Sequence, residues 1–441
     1  MKIKTFIATA LCVAQALCVV AKSANAQPTN VGCEPNRKAV TLDAVKDFGV
    51  ESGSAEDQTP KLQAALDEIS KKGGGNLIIP EGEYRLAELY MRSNTHVLVS
   101  SKAVLKPYYT PKTFNVIMVH FTPAKKETPN AFIENCSISC LDEGKQYTVD
   151  YREIMPDGSE EGLKQVRFIA NRLVRNFTVA DANILDHYTK YCGIIFVGAS
   201  TQDIADKWEI TRPTNGLIRN CRITDASHGY GLCQLHAADN ILFTNIRAKG
   251  GVTLRLEGHA GQNVGTKDIY GKDIYNEYGK AAVMFQPHVT HHGMVTIDGV
   301  ESKSSAFTIL IRAGFIDRAA KNDPTAEVGT FPRGCTIKNI HGIYGRQAQT
   351  EAKDAWILDP SERKYVAKSK KDDVYTQTEA PSSAVVFDDT RGGYDIKCTN
   401  ITSEGYPSHF PKSGIIFTSD LLPRTQKQTT TIAKTIPAYS K

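Results

Sequence analysis

Ile218-Arg-Asn-Cys-Arg-Ile-Thr224 alternates apolar and polar side chains. The pattern returns at Ile241-Leu-Phe-Thr-Asn-Ile-Arg247, Ile269-Tyr-Gly-Lys-Asp-Ile-Tyr275 and Val295-Thr-Ile-Asp-Gly-Val-Glu301. Looser copies lie at 133–139, 336–342 and 396–402, most with Asn, Asp or Gly at the centre. Alternation with period two and β-branched residues makes each unit a short strand, because successive strand side chains point to opposite faces. The close-set copies recur at 23 to 28 residues, and self-similarity at that period signals a solenoid. The leucine-asparagine pattern of leucine-rich repeats is absent. The expected fold is therefore all-β, a right-handed parallel β-helix. Each coil should carry two or three short strands, with Ile, Val and Cys stacked inward and Asn laddered at the turns.

Upstream, Val45–Val50 reads as a strand and Asp57–Ile69 as an amphipathic helix with Leu62, Ala65, Leu66 and Ile69 on one face. Asp57 or Thr59 suits its cap and Pro60 its first turn. Glycines 73–75 then stop the helix before an apolar strand. A solenoid needs its open end closed, and this helix is placed to do so. The opening resembles that of pectin-lyase-like β-helix enzymes. Residues 39–110 are read as cap and first coils, and 141–165, 315–334 and 346–383 as polar loop insertions. Residues 423–441 form a Thr- and Lys-rich tail. Long insertions in a solenoid either wall a binding groove or are tolerated surface loops.

Lys2 and Lys4, the apolar run Phe6–Ala21 and Ala24-Asn25-Ala26 form the three-part plan of a secretory signal, cleaved after Ala26. Residues 27–441 are then one domain, secreted or periplasmic, with no membrane span and a monomer expected. Loss of Lys2, Lys4 and Lys22 takes the formal charge from +5 to +2, too balanced for a general nucleic-acid binder. Eight cysteines remain, at positions 33, 136, 140, 192, 221, 233, 335 and 398. Several fall at equivalent places in the repeat, which favours stacked buried thiols over a disulfide framework. No C-x-x-C pair is present, which argues against a zinc ribbon.

Four segments carry the chemistry: Gly231–His236, Thr253–His259, Val283–His288 and Thr308–Gly314. Aligned by coil, Cys233, Leu256, Phe285 and Ile311 fall in one inward column, and Gln234, Glu257, Gln286 and Arg312 in one outward column. His236, His259 and His288 form a second outward column two residues on, and Arg255 borders both. Two polar columns on one sheet fit a hydrogen-bonded ladder, a metal site or a saccharide groove. Strand spacing of about 4.8 Å makes three stacked histidines awkward for one ion. No cofactor or catalytic metal is expected, and a structural calcium or sodium ion is left open. In a glycan groove Glu257 is the only carboxylate of the two columns. Gln and apolar neighbours would raise its pKa toward a general acid, while Arg255 or Arg312 would lower it. Gln234 and Gln286 can bind hydroxyls. The arginines and histidines, His236 and His291 among them, can hold sulfate or carboxylate groups.

The cap, the coils and Leu254-Arg-Leu-Glu257 resemble the iota-carrageenase family of glycoside hydrolases over residues 40 to 345. That resemblance implies a secreted β-helix enzyme cleaving β-1,4 bonds of an anionic, sulfated galactan with inversion. It implies the acid at Glu257 and a functional Gln at Gln234, 23 residues earlier. It also implies a functional histidine, met by His288 by column and by His291 or His292 by spacing. The family's base Asp stands two residues after the acid, where this chain has His259. A neutral His259 can activate water, and Asp239, Asp225 or Asp273 are the alternatives. The polygalacturonase signatures (Asn-x-Asp, Asp-Asp, Arg-x-Lys) are not found together around the groove, and His228-Gly-Tyr-Gly echoes that family weakly. A polysaccharide lyase using Arg255 or Arg312 and a non-catalytic glycan-binding module are the rival readings.

Overall fold

The computed structural model describes residues 28, 31–124, 132–162, 165–198, 212–258, 264–351, 354–371 and 374–421. The signal segment, the 423–441 tail and His259 lie outside the described residues. The chain is a right-handed parallel β-helix. Among the described residues 24 strands join one hydrogen-bonded system, and its main-body pairings are parallel. Each coil contributes to three stacks. The first runs through residues 115–121, 165–171, 194–196, 231–235, 252–257, 281–286, 307–312 and 384–389. The second includes 133–140, 174–180, 214–219 and the starts of Ala237–Glu257 and Gly265–Glu277. The third takes the short segments that follow, such as Ile246–Lys249 on Ile274–Glu277.

The repeat motif lies in the second stack and its turn into the third. Its central Asn or Asp adopts a left-handed conformation at Asn220, Asn245 and Asp273, and so do Asn135, Asn176, Asn215 and Asn240 at the corner that leads into the second stack, all with φ of 49° to 56°. Asn tolerates this because its short side chain finds local partners. Here the amides bond up the stack: Asn135 to Asn94 at 3.0 Å, Asn176 to Asn135 at 3.3 Å, Asn215 to Asn176 at 3.2 Å and Asn240 to Asn215 at 2.7 Å. Inside, Phe121, Phe177, Phe196 and Phe243 stack with centroids 5.6 to 6.2 Å apart. The eight cysteines from Cys33 to Cys398 are unpaired, and Cys136, Cys221, Cys233 and Cys335 sit in the main core.

The helix Thr59–Lys71 closes the N-terminal end, burying Leu62, Ala65, Leu66 and Ile69. Its cap differs from expectation. Gln58 occupies the cap position without a side-chain bond, while the Asp57 carboxylate accepts the Thr59 N–H at 2.9 Å. The Gln58 side-chain oxygen instead accepts the Glu51 N–H, in the loop after a short helix, Ala44–Phe48, that stands where Val45–Val50 was expected as a strand.

The long connections are not spread evenly. Residues 313–335 leave the C-terminal edge of the first stack, whereas 151–164 and 344–383 enter its N-terminal edge. The outer face of that stack is thus flanked on both sides. The 346–383 insertion builds its own antiparallel sheet from Ala348–Thr350, Ala367–Lys371 and Val374–Ala380. Among the described residues no helix is long and apolar enough to cross a membrane.

Candidate active site

Glu257 ends the strand Ala237–Glu257, on the floor between these walls. Its side chain is buried, yet it is a carboxylate with three side-chain donors. Oε2 accepts from Gln234 Nε2 at 2.6 Å. Oε1 accepts from Arg255 Nη2 at 2.7 Å and from His288 Nε2 at 3.2 Å. His236 Nδ1 lies 3.3 Å from the Glu257 carbonyl oxygen. Arg255 stands two residues earlier on the same face, and its other nitrogen donates to the Gly229 carbonyl.

Burial by itself would raise the Glu257 pKa. The Arg255 guanidinium, the bond from His288 and the charge on His236 outweigh it and hold the carboxyl down at about 2. Of the two opposing effects expected at Glu257, the lowering by Arg255 prevails. A charge-assisted pair in a dry site is strong enough to reverse the desolvation effect.

The register also corrects the column alignment. Cys233 pairs with Leu254, Gln234 with Arg255 and Leu235 with Leu256, so the first of the four strands is displaced by two residues. His236 therefore stands beside Glu257, and Gln234 reaches Glu257 diagonally from beside Arg255. The remaining alignment stands: Leu256, Phe285 and Ile311 form one column, and Glu257 pairs with Gln286.

Arg312 shares the face but is engaged elsewhere. Its guanidinium bonds Asp354 of the 346–383 insertion at 2.6 Å and faces Asp389 of the next coil at 3.6 Å. Burial opposes its charge, but these carboxylates raise its pKa. It serves as a clasp for the insertion, which leaves it poorly placed to hold a sulfate. A cleft of about 1500 Å³ continues the groove there, lined by Arg312, Arg391, Trp356, Tyr394 and Phe331 among others. Arg167, three coils before Glu257, stacks on Tyr191 at 3.6 Å.

The histidines divide. His291 is exposed and bonds Thr330 Oγ1 at 2.9 Å. His292 is buried and stacked on Phe331, with centroids 4.5 Å apart. Its Nδ1 accepts the Thr266 N–H at 3.1 Å. Burial, then the neighbouring His236 and Arg212, push its pKa down to about 3, so it is a neutral pin between coils. Of the candidate bases, Asp225 and Asp273 stand at left-handed corners away from the C-terminal edge of the first stack and cannot reach Glu257 from there. Asp239 begins the following strand segment and faces Lys267 at 3.7 Å. His228 lies half-buried beside the groove, its pKa lowered by that desolvation. No group of three or more His, Cys, Asp or Glu is arranged to hold a metal ion among the described residues.

The sequence reading missed Asp317 and Phe315. Both come from the 315–334 insertion. Asp317 Oδ2 lies 3.4 Å from His288 Nδ1, and the Phe315 ring lies against the same imidazole at 4.4 Å. A loop without periodicity gives no signal for such a contact.

No family model matches the chain. It is 34% identical over 318 residues to an iota-carrageenase of Zobellia galactanivorans, covering 70% of this chain and 59% of that protein. The chain is homologous to the iota-carrageenases. A second iota-carrageenase, from Alteromonas macleodii, is 30% identical over 302 residues, covering 67% of this chain and 57% of the relative. The chain thus spans less than two thirds of the length of these curated relatives. Among solved structures, a 1,3-alpha-1,4-beta-D-galactose-4-sulfate-3,6-anhydro-D-galactose-2-sulfate 4 galactohydrolase superposes with a TM-score of 0.76 at 26% identity. That match covers 88% of this chain and 93% of the other. The iota-carrageenase homologue described here thus shares the fold of a hydrolase whose name specifies a sulfated galactan.

Proposed function

We propose that this protein hydrolyses a β-1,4 bond of a sulfated galactan with inversion, Glu257 acting as the general acid. The observation that carries this reading is a buried carboxylate on the groove floor, oriented by Gln234, Arg255 and His288. A carboxyl so fixed has one geometry for a glycosidic oxygen, as a leaving-group acid requires. Against Arg255 and His288 it is ionised. A sulfate drawn against Arg255 would weaken the interaction that lowers its pKa, so an anionic glycan would help to arm the acid it needs. Gln234 orients the carboxyl, and His236, Gln286 and the exposed His291 contact the glycan. His259, two residues beyond the acid, is proposed as the base that activates water, in place of the expected Asp. Trp356 and Tyr394 offer apolar faces for sugar rings further along. Export rests on the signal pattern before Gln27.

The test is incubation with iota-, kappa- and lambda-carrageenan, pectate and alginate, following reducing ends and absorbance near 235 nm. Reducing ends without absorbance on a carrageenan, lost in Glu257→Gln with binding retained, support the reading. Absorbance would make the protein a lyase and turn attention to Arg255. Binding without turnover in the wild type would leave a glycan-binding module, which the ionised Glu257 would suit.

A further inference from the structure

His288 is the one described imidazole set between two carboxylates near Glu257. It follows Pro287 at the end of the strand Ala281–Gln286, in a left-handed conformation with φ of 50°. Its carbonyl accepts two N–H groups from the 315–334 insertion, from Phe315 at 3.0 Å and Gly329 at 2.8 Å. The Phe315 ring packs on the imidazole, so the ring is held as well as the backbone. Nε2 faces Glu257 Oε1 at 3.2 Å and Nδ1 faces Asp317 Oδ2 at 3.4 Å. Ionised carboxylates only accept hydrogen bonds, so both contacts are satisfied together when the ring carries both protons. Asp317 is itself fixed: its Oδ1 accepts the N–H groups of Ala319 and Ala320, each at 3.0 Å.

We propose that His288 is the proton store of Glu257 and that Asp317 is the positioning residue that keeps it loaded. This rests on the hydrolase reading above. The Nε2–H proton passes to Glu257 Oε1, leaving a neutral imidazole with its Nδ1–H on Asp317 and a carboxylic acid at Glu257. The acid gives that proton to the glycosidic oxygen as the anomeric C–O bond breaks. Water supplies hydroxyl to the anomeric carbon, and the proton it releases returns through solvent to Nε2. No net proton is consumed.

Several other charged groups surround this relay. Arg255 and His236 lie beside Glu257 on the near coils. On the connection side are His291 and His292, with Arg212 behind them. Of the groups named around His288, only Asp317 and Glu257 are carboxylates. Removing Asp317 therefore takes away the carboxylate that the Nδ1–H faces and leaves Glu257 alone on the ring.

The test is Asp317→Asn, which keeps Oδ1 for the Ala319 and Ala320 turn and places an amide where Oδ2 faces Nδ1. With a cleaved carrageenan, kcat should fall about 10- to 100-fold with KM nearly unchanged. Asp317→Glu should restore part of the lost kcat. An unchanged kcat together with a lowered Tm would reduce Asp317 to a loop clasp and overturn the proposal. Nitrogen-15 spectra of histidine-labelled wild type read the dyad without substrate. At pH 6 both His288 nitrogens should be protonated, and one should not be in Asp317→Asn. A neutral wild-type ring would refute the store. If no glycan is cleaved, the hydrolase reading and the proton-store role fall together, while a doubly protonated ring would still establish the Asp317–His288–Glu257 contact.

Discussion

Glu257→Gln removes one charge at the centre of a dry cationic cluster, and the cost can be worked from the site. The carboxyl titrates at about 2 when folded, against an ordinary 4.5. A difference of that size corresponds to a stabilisation on the order of 3 kcal/mol at pH 7. Because the folded pKa is depressed, this contribution is complete above about pH 4.5 and is lost as pH falls through about 2. It should shrink to about 1.4 kcal/mol at pH 3 and below about 0.5 kcal/mol at pH 2. Glutamine keeps the shape and can still bond Gln234, but it stands in for the protonated acid. The assay is urea unfolding followed by circular dichroism for wild type and Glu257→Gln at pH 7, 5 and 3. The wild type should lead by a margin that is equal at pH 7 and 5 and roughly halved at pH 3. A variant as stable as the wild type at pH 7, or a gap independent of pH, would refute the electrostatic account of Glu257.

Other perturbations address separate links. Arg255→Met should raise the pH at which Glu257 takes up its proton from about 2 toward the usual carboxylate range, read by carbon-13 NMR of labelled glutamate. Gly329→Ala would put a Cβ 2.4 Å from the backbone N and O of Thr290, so the 315–334 insertion should lift from the groove. Activity should be lost while the Tm moves by only a few degrees, and retained activity would show the wall dispensable. Arg312→Ala takes the guanidinium from the buried Asp354 carboxylate, costing about 3–5 kcal/mol and exposing 346–383 to limited proteolysis. Asn215→Ala loses two ladder bonds and forces a Cβ-bearing residue with no local partner to hold φ of 55°. It should cost about 1–3 kcal/mol in urea titrations, and Asn215→Gly less.

The coil repeat was readable because each strand places Ile, Val or Cys at every second position and an Asn or Asp at the corner. Those are the residues that fill the core and tolerate φ near 50°. The same periodicity concealed the slip at Cys233. A shift of two residues leaves every side chain on its face, so only the backbone register distinguishes Leu254 from Leu256 as its partner. Gln234, Arg255, Glu257 and His288 were found because they share a face across adjacent strands. The direction of the Glu257 pKa was not, since Arg255 and burial oppose each other and only the 2.7 Å contact decides between them. Arg312 was assigned to substrate because its two carboxylates arrive from 354 and 389, far along the chain. Asp317 was missed for a related reason, lying in an insertion with no pattern and meeting His288 only through the fold.

The most direct test of Glu257 as the acid in a glycan groove is a crystal structure of Glu257→Gln with a bound iota-carrageenan oligosaccharide. The account predicts a glycosidic oxygen within about 3.2 Å of the side chain at position 257 and a sulfate against Arg255. A glycan seated elsewhere, or one whose nearest bridging oxygen lies beyond hydrogen-bond reach of that side chain, would contradict it.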